Sequence, residues 1–288
     1  MIIIRFIGGL GNQLFQYAFY KQLELRFPQI EVKADISEFE NYYLHNGFEL
    51  ERVFDLKLDK ATQKEINKLK TGRSFFDKVR RKISGYKHTH IFQQQFDYSF
   101  VIKDNLYLDG YWQHLSFWKN NVINPTDYLH FRIPPSAKNK KLIEELKNCN
   151  SVSIHIRRGD YLLPENAKVY VNCSIDYYQR AISYFERKYP EINFYVFSND
   201  IPWVKKSLRT NSPIEFIAHN TGINSFEDLR LMAQCKHNII ANSSFSWWGA
   251  YLNTSPNKEV VCPDLWWKDP NRKDDIYIPK TWKKIKHD

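Results

Sequence analysis

The stretch that most narrows the fold is Ser-Val-Ser-Ile-His-Ile-Arg-Arg-Gly-Asp-Tyr, residues 151–161. Val152, Ile154 and Ile156 alternate with Ser153, His155 and Arg157, the period of a strand, and Gly159 with Asp160 ends it in a turn. The spacing of Tyr178, Ala181, Ile182 and Phe185 then predicts a helix over 177–189. A strand over 193–197 runs into Ser198, Asn199 and Asp200, and Phe216 with Ile217 predicts another. A helix over 226–235 precedes a strand over 238–241 that runs into Asn242, Ser243, Ser244, Phe245 and Ser246, with a further helix from about Trp247. Strands alternating with helices specify a parallel sheet, so the fold class is α/β.

All strands of a parallel sheet end on one edge, and ligands of α/β folds bind there. Three strands here finish in polar clusters: Arg157 with Arg158, Ser198 to Asp200, and Asn242 to Ser246. A guanidinium is a permanent forked cation that matches phosphate oxygens. A surface ion pair is the competing explanation of the two arginines. Helix capping accounts for one serine but not for three beside two tryptophans. The chain has no Asp-x-Asp and no Gly-x-x-x-x-Gly-Lys-Ser/Thr. A diphosphate here is therefore expected to be neutralised by arginine and helix N-termini rather than by a metal ion.

The first half opens with an apolar run, Ile2 to Ile7, then Gly8, Gly9, Leu10, Gly11, Asn12 and Gln13. A helical face follows through Leu14, Phe15, Ala18, Phe19 and Leu23, and a second strand over 30–35 ends in Asp35. This nearly matches the dinucleotide fingerprint, but Leu14 stands where the third glycine belongs. An NAD-dependent enzyme with Asp35 at the ribose is thus one reading. A glycine turn that lets helix and strand pack closely is another. Residues 106–113 read as a strand with a polar and aromatic end. Trp112 could stack on a sugar acceptor and Gln113 hydrogen-bond to it, or both could plug the core. The polar, proline-punctuated stretch 134–141 suits a domain boundary.

With 42 Lys+Arg against 32 Asp+Glu, the net charge of +10 suggests an anionic partner. Phe76, Val79 and Ile83 share a helical face with Lys78, Arg80, Arg81 and Lys82 around them, either a solvated face or a surface for anionic lipid. Cys149, Cys173, Cys235 and Cys262 are too widely spaced for a zinc site and read as reduced thiols of a cytoplasmic protein. No apolar run approaches a membrane span.

Gly8-Gly9-Leu10-Gly11-Asn12-Gln13, His155-Ile156-Arg157-Arg158-Gly159-Asp160-Tyr161 and Asn242-Ser243-Ser244-Phe245-Ser246-Trp247-Trp248-Gly249-Ala250 strongly resemble glycosyltransferase family 11. Asn46-Gly47-Phe48-Glu49-Leu50, Gly110-Tyr111-Trp112-Gln113 and Asp228-Leu229-Arg230-Leu231-Met232 extend the resemblance over nearly the whole chain. It implies a GT-B architecture: Rossmann-like domains at 1–148, mainly acceptor-binding, and 149–288, binding the donor, facing each other across a cleft. It implies metal-independent, inverting transfer of L-fucose from GDP-fucose to the 2-hydroxyl of a galactose, with no cofactor.

By the same resemblance Arg157 holds the β-phosphate, His155 and Arg158 orient it, and Asp228 lies near the guanine. Asn242, Ser243, Ser244, Phe245 and Ser246 surround the diphosphate, with Asp200, Gly9 and Gly11 also on the donor side and Asn12 facing the fucose. Asp35, Trp112 and Gln113 are the acceptor-side candidates. Asp160, Asp35 and His155 compete for the role of general base. The expected partners are GDP-L-fucose and a galactose-terminated glycan of a surface polysaccharide, lipid-linked during assembly, with weak contact to anionic membrane and none to nucleic acid. An NAD enzyme and a non-catalytic carbohydrate- or nucleic-acid-binding protein remain the alternatives.

Overall fold

The N-terminal isoleucines Ile2, Ile3 and Ile4 are wholly buried in β1 (Ile2–Arg5). In the computed structural model, which describes residues 1–41, 45–72, 87–97, 105–117, 124–159, 168–269 and 278–288, β1 lies inside a parallel sheet ordered β2-β1-β4-β3. Its companions are β2 (Val32–Asp35), β3 (His90–Phe92) and β4 (Leu106–Asp109). Helices α1 (Leu10–Arg26), α2 (Leu50–Val53) and α3 (Gln63–Leu69) belong to the same unit, and Ile3 packs with Ile66, Leu69 and Tyr107. A run of apolar residues without alternation is what a covered parallel strand requires.

The turn from β1 to α1 is fixed by glycine and glutamine. Gly8 has φ +79°, and a Cβ there would sit 2.5 Å from Asn12 Nδ2, so no other residue fits without displacement. Buried Gln13 donates to the carbonyls of Gly8 and Gly47, both at 2.8 Å, and accepts from the Glu49 N–H at 2.8 Å. Gln16 accepts from the Ile7 N–H at 3.0 Å. These amides satisfy backbone groups that a loop beside a sheet edge would otherwise strand.

The second unit is built on six parallel strands in the order β10-β9-β8-β5-β6-β7. They are β5 (Asn150–Ile156), β6 (Ile192–Ser198), β7 (Ile214–Ile217), β8 (His237–Ile239), β9 (Val260–Pro263) and β10 (Lys283–Ile285). The helices are α4 (Ala137–Asn148), α5 (Ile175–Lys188), α6 (Ile201–Ser207), α7 (Phe226–Gln234) and α8 (Ser244–Leu252). Ser136, Ser174 and Asp200 cap α4, α5 and α6 by accepting from the N–H groups of Asn139, Tyr177 and Trp203. Val152, Ile154 and Ile156 pack with Tyr178, Ala181, Ile182 and Phe185 of α5, the valine, isoleucine and phenylalanine side chains contributing about 1.5–3 kcal/mol each. Gly249 lets α8 approach α7, since a Cβ there would lie 3.0 Å from the Cβ of Met232.

The elements differ from the expectations in four places. The alternation in β5 predicts a half-buried strand, but Ser153 and His155 are buried as well, and Asn238 Nδ2 donates to Ser153 Oγ at 2.7 Å. The strand expected over 106–113 ends at Asp109, because Gly110 lies against Gln93 and Trp112 adopts φ +56°. Helix α8 starts at Ser244, ahead of the tryptophans. The chain divides between Ile133 and Pro134, at the start of the polar 134–141 stretch and not at 148, because Leu142 and Leu146 of α4 pack with Tyr195, Phe197 and Leu231 of the second unit. The basic segment around 78–82 and Asp160 lie outside the described residues.

Glu259, just before β9, ties that strand to α5. Tyr184 donates to it at 2.5 Å, and Tyr189 and Lys188 donate to its other oxygen. Burial alone would raise its pKa, but the bonds from Lys188, Tyr184 and Tyr189 outweigh burial and hold it at about 2, below the ordinary 4.5. The stabilisation is therefore complete above about pH 4.5 and is lost as pH falls toward 2. Glu259→Gln is expected to cost about 2 kcal/mol at pH 7, with partial exposure discounted, and distinctly less at pH 3. Urea unfolding at both pH values checks this; an equal gap at the two would remove the charge from the account.

Candidate active site

In the second unit, β8, β5 and β6 are neighbours, so their carboxyl ends bring the three polar clusters together. Arg157 and Arg158 follow directly on β5 and are half-buried. The Arg158 guanidinium lies 3.6 Å above the ring centre of Trp203, and its Nε is 3.4 Å from Asp200 Oδ2. Its backbone N–H donates to Asn199 Oδ1 at 3.0 Å. A Cβ at Gly159 would fall 2.3 Å from Asn199 Nδ2, so any other residue there would displace the Asn199 amide. Asp200 thus serves two purposes, as the cap of α6 and as the counter-ion of Arg158.

His155 is buried at the end of β5, with its ring 5.8 Å from that of Phe245. This contact sets the end of β5 beside the start of α8. Ser243 precedes that helix without capping it by its side chain, and the N–H groups of Ser244, Phe245 and Ser246 open the first turn. Asn242 and Ser246 point elsewhere. The Asn242 amide donates to the carbonyls of Val171 and Trp266, while Ser246 Oγ, wholly buried, donates to the carbonyl of Ser243 at 3.3 Å. Both residues shape the loop from beneath.

Asp228 stands in the first turn of α7 and accepts from Asn220 Nδ2 at 2.9 Å. Burial, reinforced by the charge of Glu227 and opposed by the Asn220 bond, pushes its carboxyl up to about 7. Glu227 is in turn held by Asn139 Nδ2 at 3.2 Å and Arg230 Nε at 3.3 Å, and His219 meets Asn139 Oδ1 at 2.7 Å. Of this buried polar group the sequence pointed only to Asp228. Asn139 and Asn220 carry no motif and gain meaning only from distant partners.

At the carboxyl edge of the first sheet, Gly9 precedes α1 and Gly11 lies buried in its first turn. Gln113 Nε2 donates to Asn12 Oδ1 at 2.7 Å, so these two predicted residues do come together. The sequence reading missed His45, whose exposed ring covers Gly9, at 3.2 Å from where a Cβ would stand. Its one signal was its place just before the Asn46-Gly47-Phe48-Glu49-Leu50 motif.

Two acceptor candidates are corrected. Asp35 is 1% exposed, and its oxygens accept from Ser37 N–H and Oγ, from Tyr107 Oη at 2.6 Å and from Lys70 at 3.4 Å. Burial would raise its pKa, yet these bonds hold it lowered. A carboxylate so enclosed and engaged can neither take a proton from a sugar nor reach a ribose. The NAD reading loses its acidic residue with it, and Leu14 is core. Trp112 is also core: wholly buried, stacked on Phe19 at 4.1 Å and edged by Phe96 and Phe117, it has no face left for a sugar. Among the described residues no three His, Cys, Asp or Glu side chains cluster as metal ligands would.

The model of Glycosyl transferase family 11 matches residues 1–286. The chain belongs to that family. It is 30% identical to an alpha-1,2-colitosyltransferase of Escherichia coli over 99% of both chains. It is 34% identical to the O-antigen biosynthesis glycosyltransferase WbnK of the same species, over 92% of this chain and 94% of that one. Among solved structures, NodZ alpha-1,6-fucosyltransferase from Bradyrhizobium, co-crystallised with GDP, superposes with a TM-score of 0.52 at 14% identity, over 86% of this chain and 91% of that one. The fold of this family 11 member is thus the GT-B-type α/β fold of fucosyltransferases. The protein is a glycosyltransferase with relatives that transfer sugars in α-1,2 linkage.

Trp112→Ala is expected to lower stability by about 3–5 kcal/mol, the cost of emptying a large aromatic site. Denaturant unfolding measures it. Unchanged stability together with weakened sugar binding would restore Trp112 to the acceptor.

Proposed function

We propose that this family 11 enzyme transfers L-fucose from GDP-β-L-fucose to the 2-hydroxyl of a galactose residue in a surface glycan, with inversion and without a metal ion. The observation that carries the reading is the joint placement of Arg157, the α8 first turn and Asp228 on one sheet edge. The guanidinium of Arg157 and the N–H groups of Ser244 and Phe245 suit a diphosphate. The Asp228 carboxylate suits the amino group that guanine presents as a donor.

The bond between the sugar's anomeric carbon and the β-phosphate oxygen breaks as the acceptor oxygen approaches from the opposite face. Charge then grows on the departing GDP and, with opposite sign, on the sugar ring. A guanidinium already in place stabilises the departing charge without reorganising, an effect worth about 3 kcal/mol for one well-placed donor. Arg158, pinned by Asp200 and Trp203, positions the turn that carries Arg157. Asn12, tied to Gln113, is assigned to the sugar side. With Asp35 enclosed, His155 and Asp160 are the remaining candidates for the acceptor's proton.

The absence of Asp-x-Asp from the sequence supports independence from metal. Four free thiols support a cytoplasmic site of action, and burial pushes those of Cys173 and Cys262 up to about 12. Among the described residues no helix is long and apolar enough to cross a membrane. The colitosyltransferase relative, aligned over 99% of both chains, favours a second donor, a colitose nucleotide, in the same site.

Release of GDP from GDP-fucose and from other GDP-sugars, with a galactoside acceptor and EDTA present, tests the reading. Turnover of GDP-fucose undiminished by EDTA is expected. Activity that returns only with Mg²⁺ or Mn²⁺, or only with another GDP-sugar, would contradict it. Arg157→Lys keeps the charge but loses the fork, and transfer should fall at least tenfold, about 1.4 kcal/mol or more. Near-normal turnover would move the phosphate to another residue.

A further inference from the structure

A small cavity of about 160 Å³ opens at the carboxyl edge of the first sheet, lined by Arg5, Ile7, Gly8, Glu38, Phe39 and Tyr111. At about 30 Å³ for each water in the liquid it has room for about five, the scale of one sugar ring and too little for a nucleotide. Its polar wall is rigidly held. Arg5 donates to Asp109 Oδ1 at 2.7 Å and to Glu38 Oε2 at 2.5 Å. Lys70 reaches Glu38 Oε1 at 3.3 Å and Asp35 Oδ2 at 3.4 Å, and His90 Nε2 lies 3.3 Å from Asp109 Oδ2. The apolar wall is aromatic. Tyr111 is 45% exposed, although Gln93 Oε1 fixes its backbone N–H at 2.9 Å, and Phe39 is half-buried beside it.

We propose that this cavity is the subsite for the acceptor sugar, a neutral pyranose, taking the place that Trp112 and Asp35 cannot fill. The proposal rests on the glycosyltransferase reading above. A pyranose presents an apolar C–H face and a rim of hydroxyl donors, so it needs an accessible ring next to a fixed carboxylate. Tyr111 and Phe39 supply the ring faces. Glu38, oriented by two cations, supplies an acceptor whose geometry costs little further entropy on binding. Electrostatics select the ligand further. Among the described residues Arg5 and Lys70 are already engaged by the carboxylates of Asp35, Glu38 and Asp109, and the Glu38 carboxylate can accept from a sugar hydroxyl but cannot pair with a second carboxylate. A ligand carboxylate or phosphate set against Glu38 is therefore disfavoured.

The test is binding of methyl β-galactoside and methyl β-galacturonoside to the full chain at pH 8 without donor, followed by calorimetry or ligand-observed NMR. Wild-type protein should bind the neutral galactoside at least tenfold more tightly than the uronoside. Tyr111→Ala should weaken galactoside binding at least fivefold, whereas Tyr111→Phe, which keeps the ring, should stay within twofold. Glu38→Gln removes that carboxylate and should cut the neutral-to-acidic preference at least threefold. Galactoside binding absent from the wild type, unchanged in Tyr111→Ala, or weaker than uronoside binding would overturn the subsite. None of these readouts uses GDP-fucose, so a failure of turnover would sink the proposed transfer while leaving this result to stand or fall alone.

Discussion

A parallel strand covered on both faces can present charge only where it ends, and this constraint organises both units. In β5, residues Ser151 to Ile156 are all buried, serines and histidine included, so the first ionised groups of that segment are Arg157 and Arg158. In β1, three buried isoleucines are followed by Arg5 at the same kind of edge. Burying an unpaired guanidinium within either sheet would cost several kcal/mol. At the edge it keeps its charge and gains directed partners. The position of the chemistry follows from the burial that makes the fold.

The two edges are nonetheless different electrical objects. In the first unit, among the described residues, Arg5 and Lys70 are paired with the carboxylates of Asp35, Glu38 and Asp109 beside an exposed tyrosine. In the second, Arg157 and Arg158 stand at the edge that also holds the first turn of α8, with Asp200 beside Arg158. The first suits a neutral hydroxylated molecule and the second a polyanion. A transferase for a nucleotide-activated sugar needs one of each. The Asp228 carboxyl, pushed up to about 7 by burial, is stored in a form that a donor-bearing base would favour ionising.

Much of the fold was legible because its signals are local. The alternation at 151–157, the isoleucine run and the helical spacing at 177–189 each reflect a segment's own burial, and they became β5, β1 and α5. The three clusters on the second edge were also legible, since adjacent parallel strands must end together. Partners distant in sequence were not. Asp35 reads as a strand-end carboxylate whether it faces ligand or, as it does, Tyr107 and Lys70. Trp112 follows a strand and looks like a platform until its φ of +56° turns it onto Phe19. The pairing of Arg5 with Glu38 and Asp109 spans residues that no local pattern joins. The loop roles of Asn242 and Ser246 were likewise hidden, because a polar side chain that feeds a buried carbonyl looks the same in sequence as one that feeds a ligand.

The central claim is that the carboxyl edge of the second sheet holds the nucleotide diphosphate. A crystal structure of the protein with GDP, grown with EDTA present, tests it most directly. The account predicts phosphate oxygens within hydrogen-bond distance of the Arg157 guanidinium and of the α8 first-turn N–H groups, with guanine against Asp228. A diphosphate seated instead on the glycine turn of Gly8, Gly9 and Gly11, or GDP held without contact to Arg157, would contradict it.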